Sequence, residues 1–304
     1  MVFVHTEVCR KRALILNLTD GGLFAAKAAG LGLLLALIPL AANAAPQSDV
    51  TARYTIYVGG LLIVEGRFEA GLGAKTYELQ TSMATAGTIA RLYPASYALK
   101  TRGEMRHGIL KPVQFISDQK SRRDTRHLTL TYGTKGKPKV LAEPPFEQDI
   151  LEEIAEITPA MTENTSDPVS AFLMPVTQLE KGADPCARKV PVFDGRRRYD
   201  LTFAYQGEKV MTVPDLAHPE APPPSYATII CTVTYEAIAP VELKRRMEKT
   251  KRRKDDMRIW FAPFDEGRVY MPVRFELRTQ IGMAVMELQS LTEKQTGKLQ
   301  KVQK

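Results

Sequence analysis

Hydrophobic and polar residues alternate with period two along most of the chain beyond residue 50. That alternation predicts strands over 53–58, 61–68, 75–81, 96–106, 109–117 and 126–132. In the last of these, Leu128, Leu130 and Tyr132 oppose His127, Thr129 and Thr131. Gly59 and Gly60, then Gly71 and Gly73, mark turns between strands, and Gly103, Gly108, Gly133 and Gly136 read as further turn formers. Short strands at this spacing predict an antiparallel sheet rather than a parallel α/β sheet.

The pattern breaks over 142–185. Pro144 and Pro145 open the segment, and Asp167-Pro168 supplies an N-cap and first-turn pair ahead of VSAFLMPVTQL. Ala171, Phe172 and Val176 form the apolar stripe of a predicted short helix within 168–180, limited by Pro175. Strands resume over 189–193 and 199–205, and again over 258–261, 269–279 and 283–291. The proline-rich stretch 214–224 reads as an excursion between two strands, and residues 293–304 as a polar, frayed tail. The expected fold class is all-β: a curved antiparallel sheet or open barrel with one short helix packed on the concave side.

The first 44 residues differ in kind. Arg10, Lys11, Arg12 and Lys27 precede an uncharged run of 15 residues, Ala28–Ala42, and Ala42-Asn43-Ala44 follows the small-x-small rule for signal cleavage. The segment therefore reads as an export signal cut after Ala44. It leaves one β-rich periplasmic domain over 45–292 and the tail. The rival reading is an uncleaved inner-membrane anchor, but a spanning helix needs about 20 apolar residues and this run is shorter and carries Pro39.

Cleavage removes four basic and two acidic residues, so the net charge falls from +8 to +6. That balance suits solubility or anionic lipid surroundings and is too modest to argue for nucleic acid. Cleavage also removes Cys9 and leaves Cys186 and Cys231, an even pair that reads as one disulfide in an oxidising compartment. Cys231 shares the apolar face of its strand with Ile229, Val233 and Tyr235. No C-x-x-C spacing is present to tune a reactive thiol.

Candidate chemistry is sparse. Ser117 and Lys120 match S-x-x-K, but that pattern works only on a helix and here it ends a strand. His107, His127 and His218 have no ligand partner at metal spacing, so no metal or cofactor is expected. The run Lys244–Lys254 holds eight basic residues among eleven: Lys244, Arg245, Arg246, Lys249, Lys251, Arg252, Arg253 and Lys254. They are the candidate contact with an anionic membrane surface, the plain alternative being a solvated helix or hairpin tip. Asp194-Gly195 opens a second basic cluster, Arg196–Arg198, and is itself a tight-turn pair.

Six stretches in order resemble the bacterial family called domain of unknown function 3108. They are 54–60 (YTIYVGG) with Gly66, 108–112 (GILKP), 192–201 (VFDGRRRYDL), 231–235 (CTVTY), 259–262 (IWFA) and 272–279 (PVRFELRT) with Gly282. The resemblance implies an exported envelope protein of Gram-negative bacteria, with no assigned reaction and no catalytic residues to carry over. The chain departs from the family pattern at Lys244–Lys254, where a shorter, less charged connection is expected.

A sheet that curls without closing leaves an apolar groove suited to acyl chains or peptides. The expected function is thus a periplasmic, non-enzymatic envelope protein that binds a lipid or an envelope partner and supports envelope maintenance. The alternatives are a scaffold that binds another envelope protein through a sheet edge, and a hydrolase of envelope polymers, for which no motif argues.

Overall fold

In a computed structural model, the residues described are 47–106, 109–133, 137–146, 157–175, 186–216, 219–239, 257–264, 267 and 269–296. The export segment, His107, His218, the run Lys244–Lys254 and residues 297–304 lie outside them.

The first meander contains β1 (Gln47–Val58), β2 (Leu61–Leu72), β3 (Thr76–Thr85), β4 (Ala95–Arg106), β5 (Ile109–Ser121), β6 (Thr125–Tyr132) and β7 (Pro138–Glu143). A six-residue helix, α1 (Gly87–Leu92), joins β3 to β4. The second half contains β8 (Met174–Pro175), β9 (Arg188–Phe193), β10 (Arg198–Thr212), β11 (Ser225–Ala239), β12 (Met257–Phe264), β13 (Val269–Thr279) and β14 (Gly282–Thr296). The strand order is β7-β6-β5-β4-β3-β2-β1-β14-β13-β12-β11-β10-β9, with the short β8 paired separately to β13. All these strand pairs are antiparallel. Two meanders are thus joined where the first strand meets the last. The fold is the predicted all-β open sheet.

Alternation explains which face is buried. Val50 and Ala52 of β1, Ala70 and Leu72 of β2, and Tyr77 and Leu79 of β3 point inward and pack against Met271, Val273 and Leu288 of the second half. Curvature comes from bulges, each of which inserts one residue and bends its strand. Pairing jumps at Arg53/Tyr54 and leaves Gln289 of β14 unmatched; it jumps at Ile56/Tyr57 and leaves Ile63 of β2 unmatched. The freed carbonyls are used. Gln289 accepts the Leu216 N–H at 3.0 Å, tying down the proline-rich excursion, and Ile63 accepts the Ala86 N–H at 2.8 Å, seating the start of α1.

The sheet curls until Phe193 of β9 packs with Phe115 of β5 and with Leu128 and Leu130 of β6. Ser166 fills the gap beside β9 with a parallel bridge to Val192. The turn between β9 and β10 belongs to the VFDGRRRYDL stretch, and its chemistry is structural. Asp194 Oδ1 accepts the N–H groups of Arg196 and Arg197 at 2.9 and 2.6 Å. Arg198 reaches back to the Met161 carbonyl and pairs with buried Asp200, which Lys189 also contacts at 2.7 Å.

Four sequence expectations change. Gly71 lies within β2, paired with Asp49 and Glu78, rather than in a turn. Gly103 lies inside β4 rather than in a turn: a Cβ there would collide with the Lys111 carbonyl oxygen and lie 2.6 Å from Tyr77 Oη. The glycine is a passage for the tyrosine. The helix expected within 168–180 is, over its described part, a single 3-10 turn at Ser170–Phe172, after which Met174–Pro175 pairs with β13. Pairing with the start of β13, which β14 does not reach, outcompetes helix propagation next to Pro175, and residues 176–180 lie outside the described residues. The strand β14 runs to Thr296, so Glu293–Thr296 pair with Gln47–Val50 rather than fray, because β1 offers them a backbone ladder.

Cys186 and Cys231 come to disulfide distance, with Cα atoms 5.8 Å apart and a sequence separation of 45. Both are fully buried beside Ile229, Val233 and Ile259. Closing a loop of that length stabilises the fold by about 4 kcal/mol in the chain-entropy model. The double variant Cys186→Ala/Cys231→Ala should lose about that much in urea unfolding. An unchanged midpoint with and without reductant would contradict the bridge.

Candidate functional site

The space between the two meanders holds the candidate site. At the level of Val50, Leu72 and Tyr77 the interior is filled by side chains. Beside that packed layer lies a cavity of about 370 Å³. Ile56, Val64, Phe68, Met83 and Leu99 line it from the first meander, and Ile259, Met271, Phe275, Ala284 and Met286 from the second. Each wall follows from the same alternation that builds the core, since the inward positions of β1, β2, β3 and β14 continue past the packed layer.

The floor is the turn after Asp167. Pro168, Val169, Phe172 and Leu173 face the cavity, and Phe172 meets Phe275 edge to face at 6.4 Å between ring centroids. Three polar side chains touch the cavity: Tyr54, Arg67 and Thr81. Tyr54 donates to the Pro272 carbonyl at 2.9 Å, and its burial pushes the phenol pKa up. Arg67 is engaged with Glu69 at 2.5 Å. Among the described residues, the cavity offers a guest hydrophobic surface and no convergent acid, base or nucleophile.

Asp167 fixes the floor: Val169, not Asp167, is the N-cap residue of the 3-10 turn Ser170–Phe172, and the Asp167 carboxylate braces that turn from two residues before the cap. Fully buried, its Oδ1 accepts the N–H groups of Val169 and Ser170 at 2.9 and 3.0 Å. Its Oδ2 lies 3.0 Å from Thr101 Oγ1. The Ser170 hydroxyl lies 3.0 Å from Tyr77 Oη, the group that Gly103 admits. Burial pushes the Asp167 carboxyl above the usual carboxylate range; hydrogen bonds from Ser170, Thr101 and Val169 counter it only in part.

On the other side of this turn lies a polar groove of about 810 Å³, bordered by Glu104, Arg106, Lys111, Tyr132, Ser170, Arg188 and Lys189. The Arg188 guanidinium sits 4.2 Å over the Phe203 ring and reaches the Leu173 and Ala171 carbonyls at 3.5 and 3.4 Å. Burial lowers its pKa to about 10. Its Nε and the Tyr132 hydroxyl have no hydrogen-bond partner among the described residues. Leu173 touches both spaces, so the turn is a partition between an apolar and a polar compartment.

The remaining sequence candidates fall elsewhere. Ser117 and Lys120 sit on β5, three residues apart and so on opposite faces, Ser117 buried and Lys120 exposed, which ends the S-x-x-K reading. His127 pairs with Asp118 at 2.6 Å and with Thr129 at 3.1 Å on the outer face. Among the described residues no group of His, Cys, Asp and Glu is placed to hold a metal ion. The run Lys244–Lys254 lies outside the described residues, between Ala239 and Met257. The cavity itself was not foreseeable position by position. Its only sequence signal was the continuation of apolar inward positions beyond what a filled core needs.

The family whose profile matches residues 53–289 is described as a protein of unknown function (DUF3108). The chain belongs to that family. A solved structure with a similar course is the beta-barrel-like protein of domain of unknown function DUF1849 from Brucella abortus. It is 11% identical, the match covers 82% of this chain and 98% of that one, and the TM-score is 0.43. No curated protein matches the chain.

The role of Asp167 can be tested by stability. Asp167→Ala orphans two buried N–H groups and should cost about 2–3 kcal/mol in urea unfolding. Asp167→Asn keeps an acceptor and removes the charge. Because the folded carboxyl has a raised pKa, the cost of ionisation is full above that value, declines as pH falls through it, and is gone below the ordinary value of 3.8 that the unfolded chain keeps. The asparagine variant should therefore be as stable as the parent or more so at neutral pH, and its advantage should shrink on acidification. A parent-like alanine variant would refute the assignment.

Proposed function

We propose that the protein is exported to the periplasm by the segment ending at Ala44, and that it there binds a lipid acyl chain without altering it, in support of the cell envelope. The observation that carries the binding reading is the cavity between the meanders, about 370 Å³ and walled almost wholly by aliphatic, aromatic and methionine side chains. Its volume falls in the roughly 300–1,000 Å³ range of small-molecule sites. Burying apolar ligand surface there contributes roughly 25 cal/mol per Å², which favours a chain with many methylenes over a polar guest. Met83, Met271 and Met286 add adaptable walls, suited to chains that differ in length.

Export is supported by the basic-apolar-small order of the first 44 residues, and an oxidising destination agrees with the buried cysteine pair. A hydrolase would need an acid, base or nucleophile facing its substrate, and Tyr54, Arg67 and Thr81 supply none that is free for the task. A scaffold acting through a sheet edge would use β7, where Val140 and Leu141 are exposed. Pro138 and Lys139 blunt that edge.

The test is to fill the cavity. Ala284→Phe places a ring where Ile56, Phe275 and Met286 now face open space. In a displacement titration with a fluorescent fatty-acid analogue, the parent should bind and Ala284→Phe should bind about tenfold or more weakly, while its thermal unfolding stays cooperative. Equal binding by both proteins, or none by the parent, would contradict the proposal.

A further inference from the structure

We propose that the end of the sheet next to the apolar cavity docks on an anionic phospholipid bilayer; this rests on the acyl-binding reading of the cavity and names the surface from which the chain is taken or to which it is given. The registers place several turns at one end. Gly59–Gly60 joins β1 to β2, and Gln280–Ile281 joins β13 to β14 beside it, since Val58 pairs with Ala284 and the Gly59 N–H donates to the Met283 carbonyl. Val64 of β2 pairs with Thr85, so β3 also ends here and α1 with Tyr93 follows at the same level. Ala95 pairs with Ser121, which adds the turn Arg122–Asp124 between β5 and β6.

These turns gather exposed apolar side chains at one end of the sheet. Ile281 is 81% exposed, Tyr93 72%, Leu92 56% and Leu61 49%, and the helix α1 buries none of its residues. Aliphatic tips with a tyrosine are the composition of a surface that enters the head-group region, where an amphipathic ring sits at the boundary. Basic residues flank them. Arg91, Arg122 and Arg123 are exposed beside the tips, while Asp124 lies 3.6 Å from an Arg126 nitrogen. Apolar tips with an arginine surround complement a bilayer bearing negative head groups, and fit a neutral one less well.

The cavity connects the surface to the function. Ile56 lies three residues before Gly59, Val64 three residues after Leu61, and Ala284 two residues after Gly282. The packed layer of Val50, Leu72 and Tyr77 closes the interior on the far side. An acyl chain leaving a bilayer pressed against these tips therefore meets the apolar compartment first.

The experiment is flotation of the full chain with vesicles of phosphatidylcholine alone and of phosphatidylcholine mixed with phosphatidylglycerol. Two variants are compared, Tyr93→Asp/Ile281→Asp and Arg122→Glu/Arg123→Glu, neither of which touches the cavity lining and both of which keep Lys244–Lys254. The parent should float with the mixed vesicles and not with phosphatidylcholine alone, and each variant should partition about tenfold or more weakly. Fatty-acid analogue binding in solution should stay at the parent level in both. Parent-like flotation of both variants overturns the docking surface, as does absence of parent binding to mixed vesicles or a parent that self-associates through these tips without lipid. Failure of the cavity reading shows separately, as loss of analogue binding by the parent with flotation intact.

Discussion

The pairing of β1 with β14 is the constraint on which the rest of the structure depends. Each meander alone is a chain of local hairpins with one apolar face. Only the ladder from Gln47–Thr296 to Val58–Ala284 brings those faces together. The packed layer and the cavity both draw their walls from the two sides of this seam, Ile56 and Val64 from one and Phe275 and Met286 from the other. Its registers are spaced more than 200 residues apart along the chain. Such a contact carries a high loop-closure cost and forms late compared with the hairpins on either side. The bulge at Gln289 bends the seam, and its free carbonyl anchors the proline-rich excursion through Leu216.

The second dependency is polar. A curled sheet this wide leaves an interior that strands alone do not fill, and residues 157–175 enter to partition it. What holds the partition is a buried carboxylate whose acceptors are matched by Val169, Ser170 and Thr101, with Tyr77 reaching Ser170 across the strand that Gly103 thins. The cost of burying Asp167 is offset by those hydrogen bonds and by the apolar contacts of Ala171, Phe172 and Leu173 that they position. The arrangement fixes a floor for the apolar compartment and separates it from the polar groove at Arg188.

Alternation made most strands legible, because burial on one face is a local pattern. It placed Cys231 inward beside Ile229 and Val233; a different local signal, the Asp167-Pro168 pair, drew attention to the carboxylate that braces the turn. The strand β7 and the helix α1 were not legible. α1 has six residues, no side-chain cap and no buried face, so nothing periodic marks it. Gly103 was misread because the approach of Tyr77 is a tertiary fact that leaves no trace in its own neighbours. An apolar groove was expected from an unclosed sheet, but its lining was not legible for the same reason as the seam: it forms between residues hundreds of positions apart. The FDGRRRYDL stretch, one of the six blocks of the family resemblance, forms the tight turn expected from Asp194-Gly195 together with an ion-pair network, since Asp194 and Asp200 spend their oxygens on the turn itself and on Arg198 and Lys189.

The apolar cavity lies between the two meanders, next to the packed layer of Val50, Leu72 and Tyr77. The core stops short of filling the interior on the side where the exposed tips are apolar and basic. The most direct measurement is native mass spectrometry of the full chain expressed with its export segment and purified without delipidation. The account predicts a mass beginning at Ala45, lowered by one disulfide, and carrying a noncovalent adduct of single-chain lipid mass that falls away on collisional activation. A spectrum of bare protein alone, unchanged on adding fatty acid, would contradict it.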